Sequence, residues 1–134
     1  MARSLIYTVN TTTQSIADGG TVALGSVIRR YGCNLALSGN SILVEGTGYY
    51  DLDCIVIAAP TEAGTLTAQL YRNGVAIPGA IASMTVTEAG DTVALPIVGT
   101  IREACPCLGP ISITCVLSGV ASSVSDITLR ITKT

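Results

Sequence analysis

The stretch GYYDLDCIVIAA, residues 48–59, decides the fold class of this chain. In its first half the aspartates Asp51 and Asp53 alternate with apolar residues, which is the two-residue period of a β-strand. Its second half is apolar at every position, as in a strand that is covered on both faces. The stretch therefore predicts a long sandwich strand whose outer face meets a neighbouring subunit.

On both sides of this stretch, short runs of β-forming residues are separated by Gly, Asn, Asp and Pro. Gly39-Asn40 and Asn73-Gly74 each lie between two runs and are typical of tight hairpin turns. No segment of about ten residues or more has the 3.6-residue periodicity of a helix. About ten strands are predicted, and without a linker the chain 1–134 is expected to form a single all-β domain. The runs are Ser4–Asn10, Thr21–Tyr31, Asn34–Ser38, Ser41–Glu45, Gly48–Ala59, Leu66–Arg72, Val75–Pro78, Ser83–Thr87, Thr92–Ile101, Ile111–Leu117 and Ile127–Thr132.

The composition is unusually apolar. Hydrophobic residues make up 49% of the chain and charged residues 12%, and the mean hydropathy is +0.58. Such values fit either a membrane protein or a subunit that hides its surface in an oligomer. A spanning helix needs about 20 apolar residues in a row, whereas the run Cys54–Ala59 ends at Pro60 and the run Val93–Ile101 contains Pro96. We therefore expect self-association and no membrane insertion.

The net charge and residues 1–10 limit which partners and which cellular location are expected. The net charge is −2, and the only adjacent basic residues are Arg29 and Arg30, so no basic stripe for nucleic acid is present. Residues 1–10, MARSLIYTVN, lack the apolar segment of a secretory signal peptide. The chain is expected to be made in the cytoplasm and to have no nucleic-acid partner.

The side-chain inventory argues against catalysis. The chain contains no histidine, which removes Ser-His-Asp and Cys-His nucleophilic arrangements and most zinc sites. Asp51 and Asp53 share one strand face, and a solvated face is favoured there over acid–base catalysis or calcium binding. We expect no enzymatic activity, no metal site and no cofactor. A metal-dependent enzyme that uses these aspartates or the cysteines is the remaining alternative.

The cysteines fall into two groups. Cys54 and Cys115 lie inside apolar runs, where core packing is the favoured role. Cys105-Pro106-Cys107 lies in a predicted loop and could pair with Cys33 or oxidise outside the cell. Cys33, Cys105 and Cys107 are therefore the candidate disulfide or redox residues.

Two motifs carry a resemblance to a known fold family. A strand opening with Gly-Tyr-Tyr (48–52), followed by a strand that ends in Asn-Gly-Val-Ala-Ile-Pro-Gly (70–79), resembles TNF-like jelly rolls, in particular the C-terminal domain of collagen-like glycoproteins on Bacillus spores. The whole chain is also similar to small proteins encoded in phages and prophages of gut Firmicutes. The segments that carry this second resemblance are 29–34, 37–40 and 117–122.

The resemblance implies a ten-stranded jelly-roll sandwich that forms a homotrimer. Phage members of this kind would be structural or adhesive proteins of the virion, such as capsid decorations, head fibres or tail-tip proteins, released by lysis. Their partners would be copies of themselves, other virion proteins or host-surface glycans. Tyr49, Tyr50 and Tyr71 are the candidate surface-binding or trimer-contact residues, and packing in the core or along the trimer axis is favoured over a ligand platform at each of them. A carbohydrate- or ligand-binding module is the alternative, since jelly rolls also serve as lectins.

Overall fold

The computed structural model describes residues 4–104 and 110–133. Within these ranges the chain forms eleven β-strands and no helix, so none of the described residues belongs to a helix that could cross a membrane. The strands are β1 (Leu5–Asn10), β2 (Gln14–Ile16), β3 (Ser26–Tyr31), β4 (Leu35–Ser38), β5 (Ser41–Val44), β6 (Gly48–Pro60), β7 (Gly64–Arg72), β8 (Val75–Val86), β9 (Val93–Glu103), β10 (Ile111–Ser118) and β11 (Ser122–Lys133).

The strands form two antiparallel sheets that face each other. One sheet has six strands in the order β3-β1-β11-β6-β9, with β2 also paired to β11. The other has five strands in the order β4-β5-β10-β7-β8. Neighbours in each sheet are often distant in sequence, as in a double Greek key, so the arrangement is a jelly roll. β8 and β9 are the last strands of their sheets and lie on the same side of the sandwich.

The core lies between the sheets because both are patterned with the period of a strand. In β10 every second residue is buried, and in β6 the inward positions begin at Tyr50. The alternation predicted for residues 48–59 is thus confirmed. The largest fully buried side chains, apart from Tyr50, are Ile6, Leu24, Leu35, Ile42, Leu52, Leu66, Leu70, Leu95, Ile97, Ile113 and Leu117.

Turn residues fix the register of β7 and β8. Asn73 has φ 51° and Gly74 has φ 82°, the pair of positive values that a type I′ hairpin requires. The Asn73 side-chain Oδ1 accepts a hydrogen bond from the Ser112 amide at 2.8 Å, which ties the turn to β10. The hairpin predicted at Asn73-Gly74 is confirmed.

β8 is longer than the sequence predicts. The runs 75–78 and 83–87 join into one strand, because Pro78 and Gly79 form an irregular bulge instead of a break. Pro78 has no amide hydrogen to give to a ladder, and Gly79 has φ 85°. Between Gln69 and Tyr71 the pairing with β7 shifts accordingly.

The segment before β3 also differs from the prediction. Residues 21–24 do not belong to a strand, although Val22 and Leu24 are buried in the core. Gly25, with φ 83°, lets the chain bend before β3 begins. The short strand β2 has no apolar alternation of its own, and pairing with β11 defines it.

Candidate interaction surfaces

The outward face of the six-stranded sheet is the first candidate surface, and the strand register sets its layout. One row across the sheet runs Arg29, Tyr7, Arg130, Asp53, Val98 on β3, β1, β11, β6 and β9. The adjacent row contains Thr128, Ile55 and Pro96. Residues that are directly opposite on neighbouring antiparallel strands share a face and touch. We call this surface the sheet face.

The centre of the sheet face is apolar and open to solvent. Ile55 is 48% exposed and Val98 66% exposed. With Tyr7, Pro96 and Thr128 they line a shallow hollow of about 350 Å³. Pro96 also leaves edge strand β9 without one ladder donor, which is tolerated only at an edge or bulge. Exposed apolar residues that adjoin one another in this way are typical of an interaction site.

Contacts within the subunit hold both aspartates of the sheet face. Arg130 Nη2 donates to Asp53 Oδ2 at 2.6 Å, and Thr100 Oγ1 donates to Asp51 Oδ1 at 3.0 Å. Asp51 and Asp53 do share a face, as predicted, but each has its own partner. Among residues 4–104 and 110–133, no group of three His, Cys, Asp or Glu side chains could hold a metal ion.

A second apolar surface lies where β8 and β9 run side by side at the open side of the sandwich. Met84 on β8 is 43% exposed, and it lines a hollow of about 510 Å³ with Val86, Val93 and Ala94. Both strands are terminal in their sheets, so their outer backbone groups have no strand partner within the described residues. We call this surface the open edge. A long edge strand left unpaired is a template for association.

The three candidate tyrosines do not form one surface. Tyr49 is 53% exposed on the sheet face, where the Arg102 guanidinium carbon lies 5.7 Å from its ring centroid. Tyr71 is half-buried on β7. It follows the inward-facing Leu70, so it points out of the five-stranded sheet, on the opposite side of the molecule.

The assignment of Tyr50 to a surface or a trimer contact is wrong. Its side chain is fully buried, because Tyr50 occupies an inward position of β6. Its hydroxyl donates to the carbonyl oxygens of Glu45, at 3.0 Å, and Gly46, at 2.8 Å. Burial raises the pKa of Tyr50, and the nearby Glu103 and Cys33 raise it further. Tyr50 is thus a core residue that fixes the loop before β6.

Alkaline pH is expected to destabilise the fold through two buried groups. The pKa of Cys54 is raised well above its usual range by its hydrogen bond with Cys115 and by burial, and the pKa of Tyr50 is also raised. A pKa that is higher in the folded state gives stability that is complete below the unfolded value and is lost as pH rises above it. With unfolded values of about 8.5 for Cys and 10 for Tyr, the urea midpoint should fall above about pH 9.

The variant Tyr50→Phe isolates the contribution of Tyr50 to the loss of stability at alkaline pH. The variant should lose about 1 kcal/mol of stability at neutral pH, because the hydroxyl no longer caps the two carbonyl groups. Its urea midpoint should then fall less steeply above about pH 10 than that of the native chain. Tyr31→Phe is the matched control, since Tyr31 is 53% exposed. Parallel alkaline profiles for the native chain and Tyr50→Phe would contradict the assignment.

The cysteine predictions have different outcomes. Cys54 and Cys115 are buried in the core as expected. Cys33 is exposed and forms no disulfide with any described residue. Cys105 and Cys107 lie outside the described residues, so the disulfide or redox role of these three cysteines stays a prediction.

The fold has counterparts among solved structures, whereas no protein-family model and no curated protein matches the chain. It is similar to murine APRIL at pH 5.0, with a TM-score of 0.75 and 17% identity over 99% of this chain and 100% of that chain. Eiger TNF from S. frugiperda gives a TM-score of 0.69 and 10% identity, with coverage of 98% and 91%. PRD1 vertex protein P5 gives 0.55 and 14%, with coverage of 97% and 96%.

These likenesses span nearly the whole chain and show its fold. The protein has the TNF-like jelly-roll fold, as the motifs in residues 48–52 and 70–79 predicted. The finer resemblance, to Bacillus spore glycoproteins and to phage proteins of gut Firmicutes, stays a prediction from sequence. Identities of 10–17% carry no function across, so function must be argued from the surfaces of this chain.

Proposed function

We propose that this protein is a non-enzymatic structural or adhesive component of a phage particle that assembles as a homotrimer. The observation that carries the proposal is that one subunit has two separate exposed apolar surfaces. These are the sheet face around Ile55 and Val98 and the open edge at Met84. Neither surface has a partner within the described residues. Burial of both surfaces in an assembly would account for the apolar composition of the chain.

The two surfaces differ from each other, as head-to-tail contacts in a cyclic oligomer require. When one patch of a subunit binds a different patch of the next copy, the contact is head-to-tail and closes into a cyclic oligomer if the rotation allows. The sheet face of one subunit would pack against the open edge of its neighbour. This contact would cover edge strands β8 and β9 and remove their tendency to pair with other chains.

Charge also favours a second copy as the occupant. Covering a charged group without a partner costs several kcal/mol, whereas a paired group costs much less. Asp53 and Arg130 already form an ion pair at 2.6 Å within the sheet face. The open edge brings only the carboxylate of Asp91 from the turn before β9. A copy of the chain could therefore cover the centre of the sheet face without separating the Asp53–Arg130 ion pair.

The proposed trimer and the proposed role in a phage particle are supported by similarity to other proteins. The TNF-like resemblance implies three subunits, and the sequence motifs are similar to those of phage-encoded proteins. One structural neighbour is a phage vertex protein, P5 of PRD1. A small jelly roll with two apolar surfaces suits a virion surface protein, for example a capsid decoration, a head fibre or a tail-tip protein.

The solution mass tests the assembly. Light scattering after size exclusion, at micromolar subunit concentration, should give three times the chain mass of 13.6 kDa. A monomer at this concentration would overturn the trimer and leave the two apolar surfaces without an occupant. The virion role has a separate test, which is detection of the protein by mass spectrometry in purified, nuclease-treated phage particles. Its absence from the particles would contradict that part of the proposal.

A further inference from the structure

One end of the sandwich combines arginines with exposed apolar and aromatic side chains. β7 ends there at Arg72, β8 begins at Val75, and β9 carries Arg102 one residue before its end. Val75, Ala76 and Pro78 form the apolar wall of a hollow of about 430 Å³, which also has both arginines in its lining. Val75 is 69% exposed, the most exposed of the large hydrophobic residues described. We call this hollow the arginine hollow.

Each arginine of the hollow has a contact that positions its guanidinium. Arg72 Nη1 donates to the Arg102 backbone carbonyl at 3.0 Å, which positions its guanidinium beside β9. The Arg102 guanidinium carbon lies 5.7 Å from the ring centroid of Tyr49, within the range of a cation–π contact. Both guanidinium groups carry a positive charge, and an anion bound in the hollow that they line would be attracted to both. Within the described residues, neither guanidinium forms an ion pair with a carboxylate.

One carboxylate near this hollow in the sheet register, that of Asp51, already has a hydrogen-bond partner. Asp51 is opposite Thr100 on β9, and its Oδ1 accepts a hydrogen bond from the Thr100 hydroxyl at 3.0 Å. Thr100 lines the hollow and Asp51 does not. The hollow therefore offers guanidinium donors, one hydroxyl and an apolar wall.

We infer that the arginine hollow binds an oxyanion, phosphate or carboxylate, carried on a small sugar or polyol. Guanidinium groups bind both oxyanions through paired, charge-assisted hydrogen bonds. A volume of about 430 Å³ is larger than a bare phosphate needs, so the carrier occupies the rest of the hollow. Val75 and Pro78 provide contact for its C–H surface. The inference extends the adhesive role proposed above, but it requires neither the trimer nor the virion.

Titration of the ¹⁵N-labelled full chain tests the inference directly, with the arginine Nε–Hε signals as the readout. The probes are glycerol 3-phosphate, glucuronate and inorganic phosphate, with glycerol and glucose as neutral counterparts. A ligand of about ten non-hydrogen atoms should bind with a Kd of about 1 mM or tighter. Saturable shifts of the Arg72 and Arg102 signals with a charged probe, and none with its neutral counterpart, support the inference. Glycerol 3-phosphate or glucuronate, whichever binds more tightly, identifies the oxyanion.

Substitutions locate the site. Arg72→Gln and Arg102→Gln should each weaken binding at least about tenfold, because each removes a charge-assisted hydrogen bond. Arg29→Gln is the matched control, since it changes the net charge equally on an exposed strand distant from the hollow. No binding by any charged probe, equal binding of neutral probes, or equal losses in all three variants would overturn the inference. Light scattering on the same samples reports separately on the trimer, so the two proposals can fail independently.

Discussion

Ile55→Asp is expected to convert the assembly into folded monomers. Ile55 lies at the centre of the sheet face, flanked by Thr128 and Pro96, and is 48% exposed in the single subunit. An aspartate there is tolerated by the monomer because water reaches it. In the proposed assembly the same carboxylate would be buried without a cationic partner, since Arg130 already binds Asp53. The cost is about 3 kcal/mol at each interface, or roughly a hundredfold in affinity.

Light scattering and circular dichroism together measure this effect. The native chain should give the trimer mass at micromolar concentration, and Ile55→Asp should give the monomer mass with an unchanged far-ultraviolet spectrum. Ile28→Asp is the matched control, because Ile28 is 51% exposed on β3, three strands away across the same sheet, about 14 Å. If both variants remain trimeric, the sheet face is not the contact surface. If Ile55→Asp is unfolded, Val98→Lys repeats the test at an adjacent position.

The fold was predictable from sequence because its signals are local. The alternation in residues 48–59 and the turn Asn73-Gly74 each act over a few residues, and the structure confirms both. Long-range pairing defines the features that the sequence did not indicate. β2 has only three residues, and its pairing with β11 joins positions more than a hundred residues apart. The bulge at Pro78-Gly79 has the composition of a turn, which is why the sequence predicts a break in the strand there.

The candidate surfaces were only partly predictable. The alternation of β6 itself places Tyr50 on the inward face, which excludes it as an aromatic binding platform on the surface. The apolar second half of the same stretch predicts an outer face that meets a neighbouring subunit, and this stays a prediction. The arginine hollow joins residues 30 positions apart, from two different sheets. No periodicity or spacing rule connects such residues, because only the packing of β8 beside β9 brings them together.

Gly119→Ala is expected to be among the most destabilising single substitutions in the described chain. Gly119 joins β10 to β11 with φ 103°, a backbone conformation that costs a residue with a Cβ about 1–3 kcal/mol. An added Cβ would also collide with the carbonyl oxygen of Thr65 and lie 3.2 Å from its carbonyl carbon. These are backbone atoms of β7, which cannot move without breaking strand pairing, and overpacking of this kind costs about 1–3 kcal/mol more.

Gly90→Ala separates the two contributions. Gly90 has a similar φ of 88°, but an added Cβ would meet nothing within 4 Å. Urea unfolding should show a loss of about 4 kcal/mol for Gly119→Ala and about 1–3 kcal/mol for Gly90→Ala. The subunit concentration must be the same in both experiments, because assembly adds to the apparent stability. The difference measures the contact with Thr65. Equal losses would mean that the β10–β11 turn relaxes away from β7, and that the two sheets are joined less rigidly at this end than the close packing of Gly119 indicates.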